Sequence, residues 1–144
     1  MRSNDAVEVP ASFSGGCACG AIRYHCSASP VAMTKCHCRD CQRAGGSAYA
    51  PTVVIRTADF RLLRGEPRYH EITAVSGNLA RRGFCDKCGS PLFASSSARP
   101  DVMGIRAGSL DDPSWFRAAM EYWTRSAQPW DILSPATVKF ATGA

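Results

Sequence analysis

The sequence predicts an all-β domain with few short helices. Three observations carry that expectation: short segments of alternating polarity, turn signals between them, and no sustained helical period. The 144 residues fit the usual size of one domain, so residues 13–144 are assigned to it and residues 1–12 to a short N-terminal tail. Hydrophobic residues at 45% and charged residues at 20% are ordinary globular values, which excludes a disordered, collagen-like or coiled-coil chain.

Each element follows from its local pattern. Ala21 to Cys26 alternates after a glycine, and Tyr49 to Ile55 is rich in Thr and β-branched residues, so both read as strands. Asp59 to Arg64, a Gly65-Glu66-Pro67 turn and Pro67 to Thr73 predict a hairpin. Leu79 to Phe84 leads into the last cysteine pair, and Leu92 to Ser95 and Val102 to Ala107 follow as strands. Phe116 to Trp123 completes the set, with Phe116, Ala118, Met120 and Tyr122 facing one way and Arg117, Ala119, Glu121 and Trp123 the other. Asp40 to Ala44 alone suggests a helical turn.

Composition also narrows the function. The uncharged stretch Ala44 to Ile55 is too short and too broken by glycines and Pro51 to span a bilayer. The first ten residues carry two acids and no apolar core, unlike a secretory signal, so the expected compartment is the cytoplasm and no membrane is expected as a partner. The formal charge of +5 suggests nucleic acid until metal is counted: seven thiolates remove seven charges and two zinc dications restore four, leaving +2. Arginine supplies 14 of the 17 basic residues and is scattered, with Arg81-Arg82 the one adjacent pair, so no nucleic-acid partner is expected.

Eight cysteines are too many for an ordinary cytosolic domain, where disulfides are rare. Seven fall into tight clusters: Cys17-x-Cys19, Cys36-x-Cys38-x-x-Cys41 and Cys85-x-x-Cys88. Close spacing suits a metal, since neighbouring thiolates must converge on one ion at about 2.3 Å from zinc. A disulfide between Cys17 and Cys19 would be strained. Cys85-Asp86-Lys87-Cys88-Gly89 has the form of a zinc knuckle, two residues letting a turn aim both sulfurs at one ion and the glycine closing it. A thioredoxin-type redox pair would need a strand, then a helix starting at this dithiol, and no such unit is evident. Cys17 and Cys19 are the best available other half, giving a closed four-thiolate structural site. Cys36, Cys38 and Cys41 offer three sulfurs within six residues and leave a fourth position open, the arrangement of catalytic zinc; the alternative is a second closed structural site with His37 or a remote group as fourth ligand. His37 lies between two of these ligands and is read as supporting the site or lining a pocket. Cys26, His25 and His70 are read as ordinary strand residues.

Four motifs together resemble a known family. Gly15 to Tyr24, Cys36-His37-Cys38-Arg39-Asp40-Cys41-Gln42-Arg43, Phe84 to Leu92 and Gly108 to Pro113 are similar, in this order, to the motifs of the glutathione-dependent formaldehyde-activating enzymes, a family with centromere-associated relatives. The resemblance implies a β-tent fold of several coiled β-sheets, a structural zinc on Cys17, Cys19, Cys85 and Cys88, and a catalytic zinc on Cys36, Cys38 and Cys41. It also implies carbon–sulfur lyase chemistry, the reversible addition of the glutathione thiol to formaldehyde, with a small thiol such as glutathione as partner. The alternative is a non-catalytic zinc module that binds a small thiol, a metal or a protein. Lys35, Arg39 and Arg43 flank the triplet and are candidates to meet the carboxylates of such a ligand. One departure is visible: where many relatives carry a histidine before an aromatic pair, this chain has Glu121-Tyr122-Trp123.

Overall fold

The computed structural model describes residues 7–74 and 76–143. The first half of the expected tail and most of the segment weighed as a secretory signal lie outside the described residues. The fold is all-β, as expected, with eleven strands in two sheets and one α-helix among the described residues. In chain order these are β1 (Phe13–Gly16), β2 (Arg23–Cys26), β3 (Ala32–Cys36), α1 (Arg39–Gly45), β4 (Ala50–Arg56), β5 (Phe60–Arg64), β6 (Arg68–Thr73), β7 (Leu79–Phe84), β8 (Pro91–Ser96), β9 (Val102–Arg106), β10 (Met120–Tyr122) and β11 (Val138–Lys139). The smaller sheet has the order β1-β2-β5 and the larger β11-β10-β3-β4-β9-β8-β7-β6.

The core lies between one face of the larger sheet and the smaller sheet. In an antiparallel pair directly opposed residues share a face, and here Val53 of β4 opposes Ile105 of β9, which opposes Phe93 of β8. All three are buried, as is Tyr24 of β2. Tyr24, Phe60 and Phe93 form an aromatic cluster with centroids 5.1–6.0 Å apart, which joins the two sheets. Full burial of each such side chain contributes about 1.5–3 kcal/mol.

The adjacent register row shows the opposite face. Val54, Gly104, Ala94 and Arg82 oppose one another in turn across β4, β9, β8 and β7. Two small residues in the middle of this row leave a hollow on the outer face. A Cβ on Gly104 would stand 2.6 Å from the Thr52 methyl, so glycine is what lets Thr52 lie over β9.

Two expectations are corrected. The hairpin from Asp59 to Thr73 does not form: β5 pairs with β2 in the smaller sheet, whereas β6 pairs with β7 in the larger. Gly65 has φ +74°, and a Cβ there would lie 2.2 Å from the Ala21 carbonyl oxygen, so this glycine serves a close approach to the β1–β2 connection. The second correction concerns Phe116 to Trp123, of which residues Met120–Tyr122 alone form a strand. Pro113–Trp115 forms a single helical turn capped by the Asp112 side chain, and Trp123 has φ +58°, so the chain leaves the extended conformation on both sides.

Candidate metal centres

The first cluster grows from two turns. After β1 the chain reverses through Cys17 to Gly20, with the Gly20 amide donating to the Cys17 carbonyl at 3.1 Å and the Ile22 amide to the Cys17 sulfur at 3.2 Å. Between β7 and β8 the Gly89 amide donates to the Cys85 carbonyl at 2.8 Å, and Gly89 closes the turn at φ +77°. Ser90 joins the two turns: its Oγ accepts from the Ala18 amide at 3.0 Å and lies 3.2 Å from the Cys88 sulfur. The sulfurs of Cys17 and Cys19 are 3.6 Å apart, and those of Cys19 and Cys85 are 3.8 Å apart. A zinc–sulfur bond of about 2.3 Å places sulfurs at tetrahedron corners roughly 3.8 Å apart. Cys17, Cys19, Cys85 and Cys88 therefore fit one zinc ion, and all four sulfurs lie within 4.8 Å of one another. Hydrogen bonds from Ser90 hold the Cys88 thiol down at about 5, while the Cys19 thiol, against a hydrogen bond from the Ala21 backbone, is pushed up to about 11 by the neighbouring sulfurs, Cys17 first.

The second cluster is local. Cys36 ends β3, and Cys38 caps α1, accepting from the Cys41 amide at 3.3 Å on its sulfur. The sulfurs of Cys36, Cys38 and Cys41 also lie within 4.8 Å of one another. Hydrogen bonds from the Cys36 and Cys38 thiols, helped by the Arg106 charge and by Arg82 and opposed by burial, hold the Cys41 thiol down at about 2. The same sulfur contacts, with burial, push Cys36 well above its ordinary value. Cys41 is thus the sulfur of this cluster that stands next to two guanidinium groups, those of Arg82 and Arg106. This donor set fits a zinc ion with three protein ligands.

His37 belongs to neither cluster. Its ring is fully buried, with Nε2 donating to Glu121 Oε1 at 2.8 Å and Nδ1 3.5 Å from Asp131 Oδ2. Thr137 Oγ1 donates to the other Glu121 oxygen. Burial works to raise the Glu121 carboxyl, but the hydrogen bonds from Thr137 and His37 and the nearby Lys35 outweigh it and hold the group below its ordinary range. Glu121, at the position of the sequence departure, is therefore the buried anion that anchors the segment between two ligands. Gln42 anchors α1: its Nε2 donates to the carbonyls of His37 and Ser126 at 2.7 and 2.9 Å, and its Oε1 accepts from Arg39 and from Gln128.

The three basic residues expected near the ligand are dispersed. Lys35 pairs in register with Glu121 and lies on the strand face opposite Cys36, its Nζ 4.7 Å from the centre of the Tyr49 ring. Arg39 and Arg43 line a depression of about 460 Å³ with Gln128 and the exposed Trp130. A separate hollow of about 300 Å³ contains Cys41, and its cations are Arg82 and Arg106 together with Arg81 and Arg99. Sequence reasoning did not single out Arg82, Arg106, Gln42 or Asp131. The positions of Arg82, Arg106 and Asp131 depend on strand register or on a remote loop, and Gln42, although inside the cysteine motif, takes its role from its hydrogen bonds to His37 and Ser126.

Fold and cysteine geometry define an all-β protein with two clusters that could each hold a metal ion, one of four cysteines and one of three. Residues 12–126 match the family described as glutathione-dependent formaldehyde-activating enzyme, and the chain belongs to that family. A crystal structure of a protein from Rhodobacter sphaeroides has a similar fold, with a TM-score of 0.57 at 23% identity over 69% of this chain and 88% of that one. No helix among the described residues is long and apolar enough to cross a membrane.

Proposed function

We propose that this chain is a zinc-dependent carbon–sulfur lyase that makes and breaks an adduct between a small thiol and formaldehyde, with S-hydroxymethylglutathione as the reference substrate. Family membership supports a function related to glutathione and formaldehyde. The observation that carries the finer reading is the contrast in donor number: four sulfurs converge at one cluster and three at the other. A four-thiolate site is closed and structural, whereas three protein ligands leave room for substrate.

In this reading Cys17, Cys19, Cys85 and Cys88 hold a structural zinc, and Cys36, Cys38 and Cys41 hold a catalytic one. Bound at the triplet, zinc supplies Lewis acidity, which favours the thiolate form of a thiol and polarises an aldehyde oxygen. In the synthetic direction the sulfur forms a bond to the formaldehyde carbon, the carbon–oxygen π bond opens, and the thiol proton ends on the new hydroxyl. The reverse direction breaks the same carbon–sulfur bond and returns the proton to sulfur. Arg82 and Arg106 offset the thiolate charge at Cys41, while Gln42 and the His37–Glu121 pair keep the ligand segment in one conformation. Reduced cysteines in both clusters suit the cytoplasm.

Exchange spectroscopy on an equilibrium mixture of formaldehyde, glutathione and their adduct tests the reading. The expected result is exchange faster than the spontaneous rate, lost in Cys41→Ser. Thiol binding without faster exchange would make the chain a non-catalytic zinc module instead.

A further inference from the structure

We infer that the hollow between Cys41 and Arg82 is the subsite for a carboxylate of the ligand, so that the thiol handled here is an acidic one. The inference rests on the thiol reading above and adds the location and chemistry of the ligand's second anchor.

Strand register builds this subsite. Cys36 opposes Ala50 across β3 and β4, and Ala50, Thr52 and Val54 follow one another on the same face of β4. The triplet therefore stands on the outer face of the larger sheet, and the row Val54, Gly104, Ala94 and Arg82 runs away from it across that face. Gly104 and Ala94 are too small to fill the space above them, and the resulting hollow of about 300 Å³ has Cys41 in its wall. Its lining is mostly apolar, with the hydroxyls of Thr52, Ser95 and Ser96 and the arginines as its polar members.

The charges are arranged for an anion. Arg81 is already paired with Glu71 at 2.9 Å, and Arg99 lies 3.5 Å from Asp101. Neither Arg82 nor Arg106 forms an ion pair with an acidic side chain among the described residues. Arg106 Nη1 donates to Thr52 Oγ1 at 2.6 Å, which fixes its head over the hollow. Arg82 Nε is buried and lacks a hydrogen-bond partner among the described residues. Arg82 also hydrogen-bonds Cys41, so its guanidinium stands at the boundary between the triplet and the hollow. Charge counting agrees: three thiolates with one zinc dication carry a single negative charge, and two guanidinium groups leave the surroundings positive by one. An apolar wall with a guanidinium fork at its end favours the carboxylate of an aliphatic chain over a fully hydrated inorganic anion.

Calorimetric titration of the zinc-loaded protein with glutathione, S-methylglutathione and 2-mercaptoethanol tests the subsite without any turnover. S-methylglutathione keeps the carboxylates but has no ionisable thiol, and 2-mercaptoethanol has the thiol alone. Arg82→Gln should weaken both glutathione ligands about tenfold to a hundredfold more than it weakens 2-mercaptoethanol, the range of a charge-assisted hydrogen bond. Arg43→Gln should change none of the three by more than about twofold. Should Arg82→Gln fail to fold, Arg82→Lys keeps the charge without the Nε donor, and a smaller loss, again greater for the two glutathione ligands, is expected. An equal loss for 2-mercaptoethanol would overturn the subsite, because the arginine would then serve only the sulfur. Loss with Arg43→Gln and none with Arg82→Gln would also overturn it. Glutathione binding no tighter than its S-methyl derivative, both sensitive to Arg82, would support the subsite and remove the thiol reading. Binding of 2-mercaptoethanol with no gain from the carboxylates would leave the thiol reading and remove the subsite.

Discussion

The two cysteine clusters use the same donor atom for opposite structural purposes. Cys17 and Cys19 leave the smaller sheet after β1, and Cys85 and Cys88 sit on the turn between β7 and β8 of the larger sheet, so the first cluster connects positions 66 residues apart. Cys36, Cys38 and Cys41 lie within six residues on the end of a strand and the first turn of a helix. A metal in the first cluster closes a long loop and locks two sheets together; one in the second orders a local segment. The burial pattern follows this division. Cys17 and Cys85 are buried while Cys19 and Cys88 are exposed, whereas all three members of the triplet are half-buried and Cys41 lines an open hollow. In the proposed reading the same donor atom serves a staple in one cluster and a reaction centre in the other, and donor number, loop length and the neighbouring charges set them apart.

The largest test of this contrast is Cys88→Ser. Cys88 is exposed, so the substitution removes almost no packing, and any large effect must come through the metal. Structural zinc sites in small peptides contribute on the order of 10 kcal/mol, so this variant should be unfolded or nearly so by circular dichroism. Cys41→Ser should melt cooperatively and close to the parent protein. Equal and mild shifts in the two variants would break the division.

Chelator titration gives the next effect. Zinc analysis should show up to two ions per chain, with the triplet emptied first because one of its positions is held by exchangeable ligand. Melting temperature should change little over the first equivalent lost and fall steeply over the second. A single release step accompanied by unfolding would mean that the two sites are one cooperative unit.

Glu121→Gln probes the support beneath the triplet. The side chain is 1% exposed and accepts from both His37 and Thr137. Replacing a charged acceptor by a neutral amide should cost about 1.5–3 kcal/mol in urea unfolding. The pH dependence has a definite sign: the carboxyl is held below its ordinary 4.5 in the folded state. Its contribution is thus complete above that value and is lost as pH falls through the lower folded value. The parent should lose this increment on acidification, and the variant should not.

The smallest expected effect lies away from both clusters. Arg23 Nη1 and Nη2 donate to the two Asp111 oxygens at 2.8 and 2.6 Å, a forked pair at the surface. Both side chains are more than 30% exposed, so Asp111→Asn should cost only about 0.2–1 kcal/mol and less in high salt. A cost comparable to that of Glu121→Gln would mean that burial is not what separates the two acids.

Much of the candidate site was legible because its information is local. The spacing of Cys36, Cys38 and Cys41, and of each half of the other cluster, is a property of a few consecutive residues, and the structure brings each set together. Strands whose alternation carries a buried face, such as Arg23–Cys26 and Ala50–Arg56, were legible for the same reason. Three other segments were not: Phe13–Gly16 ends in two glycines, Ala32–Cys36 buries one residue without alternating, and Val138–Lys139 is too short to show a period.

The sequence by itself determined the cysteine clusters, their grouping and the all-β class, because these depend on covalent spacing and on side-chain period. Tertiary structure decided which strands pair. Gly65 reads as a hairpin turn, yet a close approach to Ala21 accounts for it and sends β5 and β6 into different sheets. Tertiary structure likewise placed Arg82 and Arg106 beside Cys41, with Lys35 on the far face of its strand. The physical reason is register: a residue on a strand gains its neighbours from chains that are remote in sequence, and a shift of one residue moves it to the other face of the sheet.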